Sequence, residues 1–245
     1  MKLARGRFHR GRTEVVMTHR RWLLIAAFLG AIGSAEAADR PVVVELFTSQ
    51  GCSSCPPAEA FLLDLVRDRP DVLALAFHVD YWDRLGWKDP FSSASATSRQ
   101  RAYSKALGVR GVYTPQMVVD GRKEAIGSNR GQVLAAINAA RGSRDSVPVE
   151  LSRDGGQIAI ELGAGSGTAT AWLVGFDPER TTEIPRGENA GRTIRQANVV
   201  RSVASVADWR GGEMKLTRPA PAGKKTALIL QAPDGRIVGA ALLGT

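Results

Sequence analysis

The chain has 245 residues, 44% of them hydrophobic and 23% charged, a balance that fits a globular protein and excludes extensive disorder. Its formal charge of +9 is unevenly placed: residues 1–37 hold seven basic and two acidic side chains, which leaves 26 basic against 22 acidic, or +4, in the remainder. An excess that small is an ordinary solvated surface, and it excludes the basic stripe of a nucleic-acid-binding protein.

The first segment, residues 1–37, has the three parts of an export signal. Arg20 and Arg21 precede the apolar run Trp22–Ile32, and Ala35-Glu36-Ala37 follows it as a small-x-small cleavage site. The run has about half of the roughly 20 apolar residues that a membrane-spanning helix needs, so cleavage after Ala37 is expected rather than anchoring. Met17 offers an alternative start that shortens the long basic region. The mature protein is therefore expected to be periplasmic or secreted, with no stable membrane anchor.

Pro41–Phe47 (PVVVELF) reads as a buried strand, and Thr48–Gly51 as a turn leading into Cys52-Ser53-Ser54-Cys55-Pro56. Ala58, Phe61, Leu62, Leu65 and Val66 then recur at helical spacing over Ala58–Arg67. Val72–Val79 is apolar on both faces, as a central parallel strand is. A polar-aromatic loop, Tyr81–Phe91, precedes a helix over Ala94–Leu107. Thr114-Pro115 introduces the strand QMVV, Asp120-Gly121 signals a hairpin turn, and Glu124–Ile126 is the return strand. Ser128 or Asn129 caps a helix to about Arg141. The order β-α-β, α, β-hairpin, α is the thioredoxin arrangement, assigned to residues 38–142. Beyond the polar break at 142–146 no long helical period appears. Val149–Leu151, Gln157–Leu162, Thr170–Phe176, Thr193–Val203, Ala227–Ala232 and Arg236–Leu242 read as strands. Residues 147–245 are therefore expected to form a β-rich domain, an antiparallel sheet or sandwich.

The cysteine pair carries the strongest chemical signal. Cys52 and Cys55 are the chain's two cysteines, three apart at a helix start. The helix N-terminus favours a thiolate on Cys52, making it the attacking sulfur, and Cys55 one turn in becomes the resolving thiol. Two alternatives compete. A purely structural disulfide closing so short a loop contributes only roughly 2 kcal/mol in the chain-entropy model. A Cu(I) site would use Cys52, Cys55 and His78, because zinc wants four ligands and there is no second cysteine pair. Glu45 interrupts an apolar strand that runs to the cysteines. It reads either as a buried proton acceptor for the pair or as a salt-bridged side chain. Pro115 is expected in cis, against the cysteines. Asp80, Trp82, Trp87 and Thr114 are expected to line a substrate groove, since consecutive parallel strands deliver their following loops to the same end of the sheet. A packed core around the two Trp rings explains them equally well, and His78 reads as structural or as a ligand.

Four segments carry a resemblance: VVVELFTSQGCSSCPPAE (Val42–Glu59), FHVDYWDRLGWKDPF (Phe77–Phe91), RQRAY (Arg99–Tyr103) and GVYTPQMVVDG (Gly111–Gly121). Together they resemble a family of exported bacterial proteins known as domain of unknown function 1223. The resemblance implies a thioredoxin-like fold with an added β-rich region. By similarity to the wider thioredoxin superfamily it implies Cys52 as nucleophile, Cys55 as resolving thiol, Pro115 as the cis-proline and Glu45 as the buried acid. The leading expectation is a thiol–disulfide oxidoreductase with a protein or small-molecule thiol or disulfide as partner. No organic cofactor is implied, because no phosphate-cradling glycine loop is present. A Cu(I) carrier and a binding module with an inert disulfide are the alternatives.

Overall fold

Two runs of alternating side chains organise the molecule. In β1 (Val42–Thr48) the residues Val44 and Leu46 face one way, while Val43, Glu45 and Phe47 face the other. The first set packs against α1 (Pro56–Asp68) through Ala58, Phe61, Leu62 and Leu65. The second packs beneath α2 (Ala94–Ala106) with Ala96 and Tyr103. β1 is thus covered on both faces, which is why its seven residues are all buried. The computed structural model describes Gly11 and residues 40–141 and 146–244; the export signal expected over residues 1–37 lies outside these except for Gly11.

β2 (Val72–His78) runs parallel to β1 in a register that sets Thr48 beside His78, so both strands end together. On the other side of β1 lies β3 (Gln116–Val119), antiparallel, joined by a tight turn to β4 (Lys123–Ile126). Asp120 and Gly121 take φ of 54° and 63°, the pair of positive values that a type I′ turn requires. The Thr114–Pro115 peptide bond is cis. α3 (Arg130–Ala140), capped by the Asn129 side chain, adds Val133 and Ile137 to the α1 side.

The strands after residue 146 do not form a body apart. β7 (Ala169–Glu183), β8 (Thr193–Trp209), β10 (Lys225–Gln231) and β11 (Ile237–Leu242) extend the same sheet, in the order β11-β10-β7-β8-β2-β1-β3-β4. Its two halves meet where β8 lies parallel to β2 at Ala76 and Val199. β5 (Val149–Asp154), β6 (Gln157–Leu162) and β9 (Met214–Pro219) make a separate three-stranded antiparallel sheet. Its Ile158, Ile160 and Leu162 cover Leu228 and Leu230 of the large sheet. The molecule is thus a mixed α/β protein with a large β-rich body, and its described residues from Arg40 onward fall in one compact unit. Among the described residues no helix is long and apolar enough to cross a membrane.

Beyond the sheet, β7 and β8 continue together as a two-stranded arm that pairs Glu179 with Ala197 and Glu183 with Thr193. Two features bend the hairpin where the arm begins. The β7–β8 register shifts between Gly175 and Phe176, and Asn198 takes a left-handed φ of 45°.

Candidate functional site

The turn after β1 carries the cysteines to the start of α1. Backbone N–H groups of Cys52 and Cys55 donate to the carbonyls of Ser49 and Cys52, and Glu59 N–H donates to the Cys55 carbonyl. Cys55 is the N-cap of α1, and Pro56 and Pro57 follow it, two residues whose missing N–H groups need no cap there. Cys52 and Cys55 form a disulfide with Cα atoms 5.4 Å apart. Ser54 Oγ lies 3.4 Å from Cys52 Sγ. Both cysteines are enclosed, with 0% and 1% of their surface exposed.

Beneath this turn, where β1 and β2 end, lies a connected set of buried polar groups. Glu59, one helical turn after Cys55, accepts hydrogen bonds at Oε1 from Thr48 Oγ1 (2.7 Å) and Gln196 Nε2 (3.0 Å). Its Oε2 is buried with no hydrogen-bond partner. Gln196 Nε2 also reaches His78 Nε2 at 3.2 Å, and His78 Nδ1 lies 2.6 Å from Asp89 Oδ2. Asp89 accepts from the backbone N–H groups of Gln50 and Phe91. Burial pushes the Glu59 carboxyl above its ordinary range, an effect that the nearby His78 charge and the two hydrogen bonds only partly offset. Burial pulls His78 down, but the Asp89 charge and hydrogen bond outweigh it and hold the imidazole above its usual value. Burial likewise acts to raise Asp89, and His78 with the two backbone donors brings it below the carboxylate range. The arrangement is a buried acid one turn from a disulfide, linked through Gln196 to an imidazole–carboxylate pair.

Glu45 lies elsewhere. Side-chain alternation turns it to the α2 face of β1, away from the helix that the cysteines begin. There Arg99 grips it with two N–H···O contacts, Nε to Oε2 at 2.5 Å and Nη2 to Oε1 at 2.8 Å, and Tyr103 Oη donates to Oε1 at 2.7 Å. Of the two readings open for Glu45, the salt-bridged one matches this geometry. A cleft of about 370 Å³ lined by Arg99, Tyr103, Trp172 and Gln231 opens on the same side. The sheet separates it from α1.

The loop after β2 packs beside the cysteine turn. A Cβ placed on Gly51 would stand 3.4 Å from Cβ of Trp82, whose Nε1 donates to Thr114 Oγ1 at 2.8 Å. Trp87 Nε1 donates to Gln50 Oε1 at 3.0 Å. Both Trp side chains are partly buried. Pro115 and Ala58 of α1 converge on Gly127, each with Cβ within 3.2 Å of where a Gly127 side chain would begin. Asp80 is engaged by Thr97 of α2, whose hydroxyl donates to Oδ1 at 2.6 Å, and so braces the loop against that helix. His78 has both ring nitrogens engaged. Among the described residues no cluster of three His, Cys, Asp or Glu could hold a metal ion, so the Cu(I) arrangement of Cys52, Cys55 and His78 finds no geometric support.

Sequence reasoning did not single out Glu59, Asn189, Gln50 or Gln196. Glu59 had a usable signal: it stands four residues after Cys55 and three before Leu62, on the border of the apolar stripe of α1. Asn189 and Gln196 had none, since they reach the site from the far half of the chain. Asn189 Nδ2 donates to the carbonyls of Gln50 (2.8 Å) and Cys52 (2.9 Å), and Glu188 Oε2 accepts from Ser53 N–H at 3.2 Å.

A family model described as protein of unknown function (DUF1223) matches residues 43–231. The chain belongs to the DUF1223 family. A crystal structure of a similar protein, AGR_C_4864 from Agrobacterium tumefaciens, is 36% identical over 83% of this chain and 94% of its own, with a TM-score of 0.74. HBP35 of Porphyromonas gingivalis, at 14% identity and a TM-score of 0.57 over 83% of this chain and 74% of its own, is similar in fold alone. No curated protein matches this DUF1223 chain.

Proposed function

We propose that this DUF1223 protein is a thiol–disulfide oxidoreductase of the periplasm or extracellular space, with a thioredoxin-like N-terminal part. The observation that carries the reading is the Cys52–Cys55 disulfide at the start of α1, above a buried carboxyl one turn away. In the reducing direction, the Cys52 thiolate attacks a substrate disulfide and forms a mixed disulfide, releasing one substrate thiolate. Cys55 then loses its proton and attacks Cys52 Sγ. The ring closes, two electrons have passed to the substrate, and its second thiolate leaves. The helix dipole at the start of α1 favours the Cys52 thiolate. Glu59, with one oxygen unpartnered and its proton affinity raised by burial, is suited to take the Cys55 proton, a role in which it replaces Glu45. Run backwards, the same steps oxidise a substrate dithiol.

Trapping tests this reading. A Cys55→Ser variant should accumulate partners linked to Cys52 by a disulfide, and a Cys52→Ser variant should accumulate none. Full exchange activity in Cys52→Ser would refute the mechanism. One observation favours a second reading, a binding module with an inert disulfide: both cysteines are fully buried. Resistance of the oxidised pair to glutathione and dithiothreitol in every variant would support that reading.

A further inference from the structure

We infer that the tip of the β7–β8 arm, Ile184–Arg192, is a cover over the Cys52–Cys55 pair that lifts before exchange, with Asn189 as its latch. The inference deepens the proposed function and concerns access to the same site. Exchange requires a thiolate to approach a disulfide sulfur along the S–S axis. With Cys52 and Cys55 at 0% and 1% exposure, the closed molecule offers no such approach.

The contacts that close the site come from the arm tip. Asn189, itself buried, donates both amide hydrogens to the cysteine turn, to Gln50 and Cys52 carbonyls. Glu188 holds the Ser53 N–H. A Gly187 side chain would meet Trp87 Cβ at 3.1 Å, so the tip also sits against the aromatic loop. Lifting it would uncover the turn from two sides.

The tip is built to move as a piece. Its own backbone bonds close it internally: Ile184 N–H to Arg192, Gly191 to Ile184, Arg192 to Asn189 and Ala190 to Gly187. The arm behind it leaves the sheet at the register shift of Gly175–Phe176 and the left-handed Asn198. Its stalk is tied separately, where Gln50 Nε2 contacts Thr182 and Gln196. Part of the latch's strength is offset. Asn189 makes two hydrogen bonds with its amide, while its Oδ1 is buried without any partner. Opening breaks two bonds but returns that oxygen, and the two carbonyls, to water.

The test is the rate at which dithiothreitol reduces the pair in the full mature chain, measured beside the equilibrium constant for the same exchange. Asn189→Ala should speed reduction about tenfold or more, the shift expected when two hydrogen bonds of a closed state are lost. Forward and reverse rates should rise together, leaving the equilibrium constant within about threefold, because a cover gates both directions. Glu188→Ala, at an exposed position that leaves folding undisturbed, should give a smaller rise of the same kind. Unchanged rates in both variants would overturn the inference. So would a change of rate matched by an equal change of equilibrium constant, which would make Asn189 a prop for the cysteine turn rather than a latch. Faster reduction in Asn189→Ala combined with no trapped partner for Cys55→Ser would uphold the cover and remove the oxidoreductase reading.

Discussion

Replacing Arg99 with Met separates the structural carboxylate from the redox site. Arg99 and Glu45 have side chains 6% and 1% exposed, so solvent does little to screen their pairing. The guanidinium also lies over the rings of Phe77, Tyr103 and Trp172, 5.2 to 5.6 Å from their centroids. Methionine fills much of the same volume but leaves Glu45 as a buried carboxylate with only Tyr103 to donate to it. Removing one partner of such a pair costs about 3–5 kcal/mol. For a folded unit of this size each kcal/mol moves the midpoint by about 2–4 °C, so Arg99→Met should melt about 6–20 °C lower. Chemical denaturation gives the free energy directly. Adding Glu45→Leu to Arg99→Met should recover most of the loss, because a buried ion pair is worth little against well-packed apolar side chains. The reduction rate of Cys52–Cys55 and its pH profile should stay as in the parent, since the pair occupies the opposite face of β1. A cost below about 1 kcal/mol, or a double variant no better than Arg99→Met, would refute the account of the pair. A shifted pH profile in folded Glu45→Gln would refute its separation from the cysteines.

Glu59→Gln should change how stability depends on pH. The folded carboxyl keeps its proton at pH values where the unfolded one, with a pKa of about 4.3, has lost it, so its contribution falls as pH rises through the folded pKa. The variant should therefore gain on the parent as pH rises above the unfolded value, read from urea midpoints; parallel pH curves would show that Glu59 is not held protonated. Gly121→Ala should cost at least about 2 kcal/mol, because φ is +63° and the added Cβ would stand 1.9 Å from the Gly235 carbonyl oxygen. A thermal midpoint unchanged from the parent would contradict that placement of the β3–β4 turn.

Elements whose order rests on local pattern were legible in the sequence. Val72–Val79 is read from its apolar run and appears as Val72–His78. The Asp120-Gly121 turn is read from a dipeptide and adopts the two positive φ values it demands. Elements ordered by distant partners were less so. The strand β9, MKLTRP, has polar residues at alternate positions and exists because β6 pairs with it along its whole length. β7 and β8 outrun their apolar cores into Thr181, Thr182, Glu183 and Thr193, where each strand is held by the other. The C-terminal strands alternate like those of an independent sheet, and nothing local says that β8 docks beside β2. In the candidate site, the spacing of Cys52 and Cys55 was plain. The face on which Glu45 falls was not, because its partner Arg99 is 54 residues away. The buried character of Glu59 depends on Gln196, 137 residues on.

The far origin of those partners has a consequence for the newborn chain. The C-terminal side chains that close over and under the cysteine turn meet their N-terminal partners across 118 to 146 residues of sequence. Synthesis runs from the N-terminus at about 5–20 residues per second, so β1, α1 and β2 have emerged roughly 5–24 s before residues 182–196 do. β1 and β2 pair with each other along their whole length and can assemble in that interval. During it the two sulfurs face the surroundings directly, and ambient thiols and oxidants set whether they are joined. Arrival of residues 182–196 then covers the pair, and from that point its redox state changes only as fast as the cover lifts.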